Sequence, residues 1–186
     1  MMLRSSYHHP LHVRTMRGLD QAPYLQLYLI ANLLAVLLLA AAFMKPRWAR
    51  WGFVLLFAWA AITNASTSLR DPNVYLEYAD LTFLPIYRSV ILGAFSEHIA
   101  FYVCAIAFCQ ALIAFGLLAG GRLSRIATWG AIIFLLAIAP FGVGSGFPCT
   151  VLFAAGLVVL GRKGMDMPVW KGAPVVRSSS SAIREP

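Results

Sequence analysis

The sequence predicts an all-α fold: an integral membrane bundle of five transmembrane helices, four being the alternative, with a short interfacial amphipathic helix between two of them. Three observations carry this. Residues 24–161 contain at least four long apolar stretches with almost no charge inside any of them. The chain is 60% hydrophobic and 12% charged, where a soluble domain carries about 25% charged residues. Basic residues gather in short clusters at the ends of the apolar runs: Lys45, Arg47 and Arg50; Arg122 and Arg125; Arg162 and Lys163.

A chain of 186 residues is one domain by length, and lipid supplies the surroundings that so apolar a composition requires. On a soluble fold the net charge of +8 would suggest nucleic acid. Its placement at the ends of apolar runs is instead the pattern of topology signals and head-group contacts. The lipid bilayer is the expected partner, and nucleic acid is not. Cys104 and Cys109 lie about 140° apart around a helix, and no CxxC pair exists, so the cysteines read as small apolar packing residues.

Residues 1–22 form a basic N-terminal tail. His8 and His12 have a spacing that would permit metal binding on a helix, but Pro10 sits between them, and no metal site is expected. A helix needs about 20 apolar residues to cross the hydrocarbon core. Residues 24–44 meet this, with Gln26 and Asn32 as their strongly polar members. A cleavable signal has a shorter apolar run, about 7–15 residues, so this first span is expected to be retained. Residues 51–69 form the second span and end in the polar run Thr63-Asn64-Ala65-Ser66-Thr67-Ser68. The sequon Asn64-Ala65-Ser66 lies too close to the bilayer to act as a glycosylation site.

The third span covers 97–120 and is interrupted by Gln110, the fourth covers 123–140, and a shorter fifth covers 147–161. Between the last two, Pro140-Phe141-Gly142-Val143-Gly144-Ser145-Gly146-Phe147-Pro148 ends one helix and starts another. It reads either as a tight hairpin at the membrane surface or as a glycine-lined re-entrant cradle for an anion or cofactor. Residues 164–186, with their run of serines, read as a disordered tail.

Sidedness follows from the Lys and Arg balance. With five spans, Lys45, Arg47, Arg50, Arg122, Arg125, Arg162, Lys163, Lys171, Arg177 and Arg184 share one side, and Arg4, Arg14, Arg17, Arg70 and Arg88 the other. The C-terminus is therefore expected in the cytoplasm, in a bacterial inner membrane, with the N-terminus outside.

Chemistry, if present, belongs to residues 70–98. They hold Asp71, Glu77, Asp80 and Glu97, with Arg70, Arg88, His98 and several tyrosines. Asp71-Pro72 is a helix-start signal for a short amphipathic helix over 72–84, which Pro85 ends. The segment reads either as an interfacial helix with tyrosines at head-group depth, or as a polar site of Glu77, Asp80, Arg88, Glu97 and His98 over the bundle mouth. If the third helix starts near Pro85, Glu97 and His98 lie inside the membrane, and a buried Glu97 needs Arg88 or His98 as partner. Asn32, Asn64 and Gln110, inside spans, read as interhelical hydrogen-bonding groups. No catalytic residues are expected.

The acidic, tyrosine-rich loop and the turn from Ala139 to Pro148, set in a bundle of four or five helices, resemble the small bacterial membrane proteins grouped as DoxX-like. The resemblance is in hydropathy and covers residues 24–160. It implies a quinone- or lipid-linked redox component, with quinone as cofactor. The residues themselves point first to a subunit or scaffold without catalysis of its own, possessing another membrane subunit as partner. A small proton-coupled transporter built on Glu97 and Gln110 is the third reading.

Overall fold

A computed structural model describes residues 22–165 and 167–171. The described residues are helical, with no strand among them. Hydrocarbon offers the backbone no hydrogen-bond partners, and a helix pairs its N–H and C=O groups within its own segment. Four helices are long and apolar enough to cross a bilayer, which makes this a multi-pass membrane protein. They are α1 (Ala22–Met44), α2 (Pro46–Arg70), α5 (Ile99–Ala119) and α6 (Gly121–Ile138), the last extended by a 3-10 segment, Ala139–Ser145. The fifth apolar helix, α7 (Cys149–Arg162), has 14 residues. At 1.5 Å per residue it is about 21 Å long, short of the roughly 30 Å hydrocarbon core.

One boundary differs from the sequence reading. Helix α2 begins at Pro46, not near Trp51. Proline is tolerated in a first helical turn because its missing N–H has no helical partner to lose. Arg47 and Arg50 thus belong to a helix, not to a loop. Helix α5 begins at Ile99, so Glu97 and His98 precede it.

The helices close into a ring: α1 packs on α2 and α7, α2 on α5, α5 on α6, and α6 on α7. Large side chains fill its centre, among them Phe53, Leu117, Leu157 and Leu160, each no more than 1% exposed. The Phe53 and Phe153 rings meet edge to face across α2 and α7, with centroids 6.0 Å apart. The outward faces stay apolar: Leu33 and Val36 on α1, Leu55 and Trp59 on α2, Phe108 and Phe115 on α5. Lipid rather than water satisfies such faces.

The chain beyond α7 does not leave the bundle at Gly164, where the sequence suggests disorder begins. Residues 164–165 and 167–171 fold back as a strap over the end of α5 and the basic start of α6, while residues 166 and 172–186 lie outside the described residues. Met165 and Val169 are buried. Val169 N–H donates to Leu118 O (3.1 Å) and Gly121 N–H to Met165 O (2.8 Å). Arg50, 6% exposed, donates through Nε to Leu117 O (2.6 Å) and through Nη1 to Met167 O (2.8 Å). Arg47 Nε donates to Val169 O (3.1 Å). Two of these bonds, to Leu117 O and Leu118 O, occupy carbonyls at the end of α5 that have no partner inside the helix, and the Arg50 cation suits that negative end of the helix dipole. Gly120 (φ +86) passes beneath the strap, where a Cβ would come within 2.5 Å of the Met167 backbone.

Candidate functional site

The segment joining α2 to α5 is built in pieces, not as the single helix expected over 72–84. A 3-10 segment, Pro72–Glu77, leads into one α-turn, α3 (Tyr78–Leu81). Thr82 and Leu84 are extended, and α4 (Pro85–Val90) runs into a wider π-type turn, Ile91–Phe95, that kinks at Gly93. Pro85 explains part of this, since the residue before a proline is pushed out of the helical region. Asp71 occupies the cap position before Pro72, but its side chain makes no capping hydrogen bond.

This segment rests on the glycine-rich turn before α7. Thr82 Oγ1 donates to Pro140 O (2.8 Å), Phe83 N–H to the same oxygen (3.2 Å), and Tyr87 OH to Ala137 O (2.8 Å). The loop thereby caps carbonyls at the end of α6. Phe141 is held edge-on between Tyr78 (5.6 Å) and Tyr87 (5.2 Å), and Phe83 packs on Phe147 (6.2 Å).

The turn itself lies deep. Asn32 Nδ2 donates to Tyr28 O (2.9 Å) and to Gly146 O (3.3 Å). Asn32 is about 15 Å along α1 from its first residue at 1.5 Å per residue, so the turn sits about midway down the bundle. That depth departs from the surface hairpin and matches the re-entrant reading, with Tyr78, Leu81 and Phe83 lying against its glycines. A Cβ at Gly144 would lie 2.8 Å from the Tyr78 ring, and one at Gly142 (φ +63) would lie 3.1 Å from Leu81 O. The glycines permit close approach of the α3 segment.

Beneath the loop, the polar residues of α2 and α5 bind one another. Asn64 Nδ2 donates to Gln110 Oε1 (2.9 Å), and Tyr75 OH donates to Asn64 Oδ1 (3.1 Å). Gln110 is 3% exposed. Ser68 Oγ lies 3.4 Å from Cys104 Sγ in the same seam. Tyr75 and Tyr78 stack with centroids 6.1 Å apart. Burial pushes the Tyr78 phenol above its ordinary value of 10.0, and the neighbouring Glu77 carboxylate adds to the shift. Burial and then Tyr78 raise Tyr75 likewise.

The five residues expected over the bundle mouth fall into separate groups. Asp80 and Arg88 form an ion pair at 3.5 Å with both side chains exposed. Glu77 is exposed beside Tyr78. Glu97 and His98 are exposed at the start of α5, on an open groove of about 450 Å³ shared with Pro72, Asn73, Ser96 and Phe101. Glu97 is thus not buried, and the pairing that burial would require does not arise. Among the described residues no cluster of His, Cys, Asp or Glu has the makings of a metal site. His8 and His12 lie outside the described residues.

Sequence reasoning missed Arg50 and Met165. Arg50 reads as one member of a topology cluster until Pro46 is seen to start the helix, and Ser124 Oγ meets Met165 Sδ (3.5 Å) only because the strap returns. No family model, curated protein or solved structure matches the chain.

Proposed function

We propose that this chain is a non-catalytic subunit or scaffold of a membrane assembly, seated in a bacterial inner membrane with its C-terminus in the cytoplasm. The observation that carries this reading is the placement of Glu97 and His98, exposed at the rim of the bundle instead of facing a chamber between helices. The buried polar groups of the α2–α5 seam agree with it, since Asn64, Gln110 and Tyr75 use their hydrogen-bonding capacity on one another. A catalytic or translocating site keeps such groups for its ligand. Helix α1 offers a partner the most room: Leu29, Ile30, Leu33 and Val36 are all more than half exposed. Packing and hydrogen bonding, not a hydrophobic drive, would hold another helix there.

The test is extraction in a mild detergent followed by cross-linking and mass analysis. A second membrane protein in fixed ratio, cross-linked through α1, is the expected result. A lone monomer would overturn the proposal.

The groove beside Glu97, with the Phe101 ring on its wall, favours a second reading. There a proton-coupled carrier or a DoxX-like quinone-linked component would act at the rim. In that case Glu97→Gln abolishes uptake in reconstituted vesicles, or the extract carries quinone. Under the scaffold reading the same substitution leaves the assembly intact.

A further inference from the structure

Between the basic ends of α6 and α7 lies a cleft of about 360 Å³, within the roughly 300–1,000 Å³ range of small-ligand sites. One wall is a single face of α6: Arg125, Thr128, Trp129 and Ile132 recur at helical spacing. The other wall is α7, from Leu157 to Arg162. The cleft is graded along its length. Arg125 and Arg162 are exposed at its mouth, Trp129 follows at 64% exposed, and Ile132 and Leu157 form a buried floor. Gly161 keeps the α7 wall open, for a Cβ there would meet only Thr128 Cγ2, at 3.6 Å.

We infer that this cleft binds an anionic phospholipid, with its phosphate between Arg125 and Arg162 and an acyl chain over Ile132 and Leu157. Guanidinium groups match phosphate oxygens in geometry and charge. Tryptophan belongs at head-group depth. Basic pockets between transmembrane helices hold lipid head groups. A free phosphate would leave the apolar floor unused. An apolar helix from another protein would strip water from two guanidinium groups and offer them nothing. The site is independent of whether the chain is a subunit, a carrier or a redox component.

The experiment is native mass spectrometry of the full chain in detergent, with added phosphatidylglycerol or phosphatidylcholine of identical acyl chains. The wild type retains one phosphatidylglycerol in preference to phosphatidylcholine. The double variant Arg125→Gln/Arg162→Gln loses that preference by about thirty-fold, taking about five-fold per arginine near a membrane surface. Arg125→Lys/Arg162→Lys keeps part of it. Gly161→Phe leaves both charges in place but fills the cleft, and it loses the bound lipid. Equal retention of the two lipids by the wild type overturns the inference. So does undiminished binding by a folded double-Gln variant, or by Gly161→Phe. Full displacement of the lipid by millimolar inorganic phosphate would also overturn it, by making the site one for a free anion. Should the double-Gln variant fail to fold, Gly161→Phe decides.

Discussion

At the scale of the residue, polar side chains inside the spans act through specific partners. Asn64, Gln110 and Tyr75 form one hydrogen-bonded chain linking α2, α5 and the 3-10 segment. Interhelical hydrogen bonds in membranes average about 0.6 kcal/mol and reach about 1.7 kcal/mol. Gln110→Leu leaves Asn64 Nδ2 without its acceptor in a buried seam, so its cost belongs at the upper end, about 1–2 kcal/mol. Asn64→Leu/Gln110→Leu removes donor and acceptor together and recovers part of that loss. Reversible unfolding in mixed micelles measures both; a Gln110→Leu protein as stable as the wild type would show the bond to be idle. The sequence marks Asn64 and Gln110 as polar residues among apolar ones. It does not pair them, because the pairing depends on the register of α2 against α5.

Elements are decided by what they pack against. Residues 72–84 have the pattern of an amphipathic helix. Thr82 and Phe83 are nonetheless bound to the Pro140 carbonyl, with Thr82 and Leu84 extended, and Tyr78 of the preceding turn packs edge-on against Phe141. Capping the end of α6 outweighs the preference of a short isolated helix, which is marginal in any case. The strap illustrates the same rule. Its composition suggests disorder, yet Arg47, Arg50, Leu118 and Gly121 supply it with hydrogen-bond partners. Truncation after Lys163 removes Met165 and Val169 from the core and strips Arg50 of its Met167 acceptor. The expected outcome is a fall in melting temperature in detergent of several degrees, since two buried apolar side chains at about 1.5–3 kcal/mol each and one charged hydrogen bond at about 1.5–3 kcal/mol are offset only in part by the entropy of ordering the strap. An unchanged melting curve would show that the strap does not brace the bundle.

For the whole molecule, the short α7 is the informative element. It starts at the deep glycine turn beside Asn32 and runs to Arg162, and the next residue, Lys163, bonds through Nζ to Phe43 O at the end of α1. The remaining height on that side is filled by Ala139–Ser145 and by the loop packed on it. Half a helix and the turn before it are expected to serve together as one crossing. The two chain ends are therefore expected on opposite faces of the membrane. A protease-cleavable tag at the N-terminus should be removed in intact cells while the same tag at the C-terminus is protected until lysis. Equal accessibility of the two would refute the odd number of crossings.

Hydropathy alone determined that this is a helical membrane protein and located its apolar helices to within a few residues, because hydrocarbon leaves the backbone few alternatives to the helix. Only the tertiary structure decided that α7 is half a span, that the glycine turn packs against aromatic rings, that Glu97 stands at the rim, and that the strap returns to Arg50. Each of these depends on contacts between residues far apart in the chain, and apolar helices that look alike in sequence can be arranged around one another in many ways until such contacts select one.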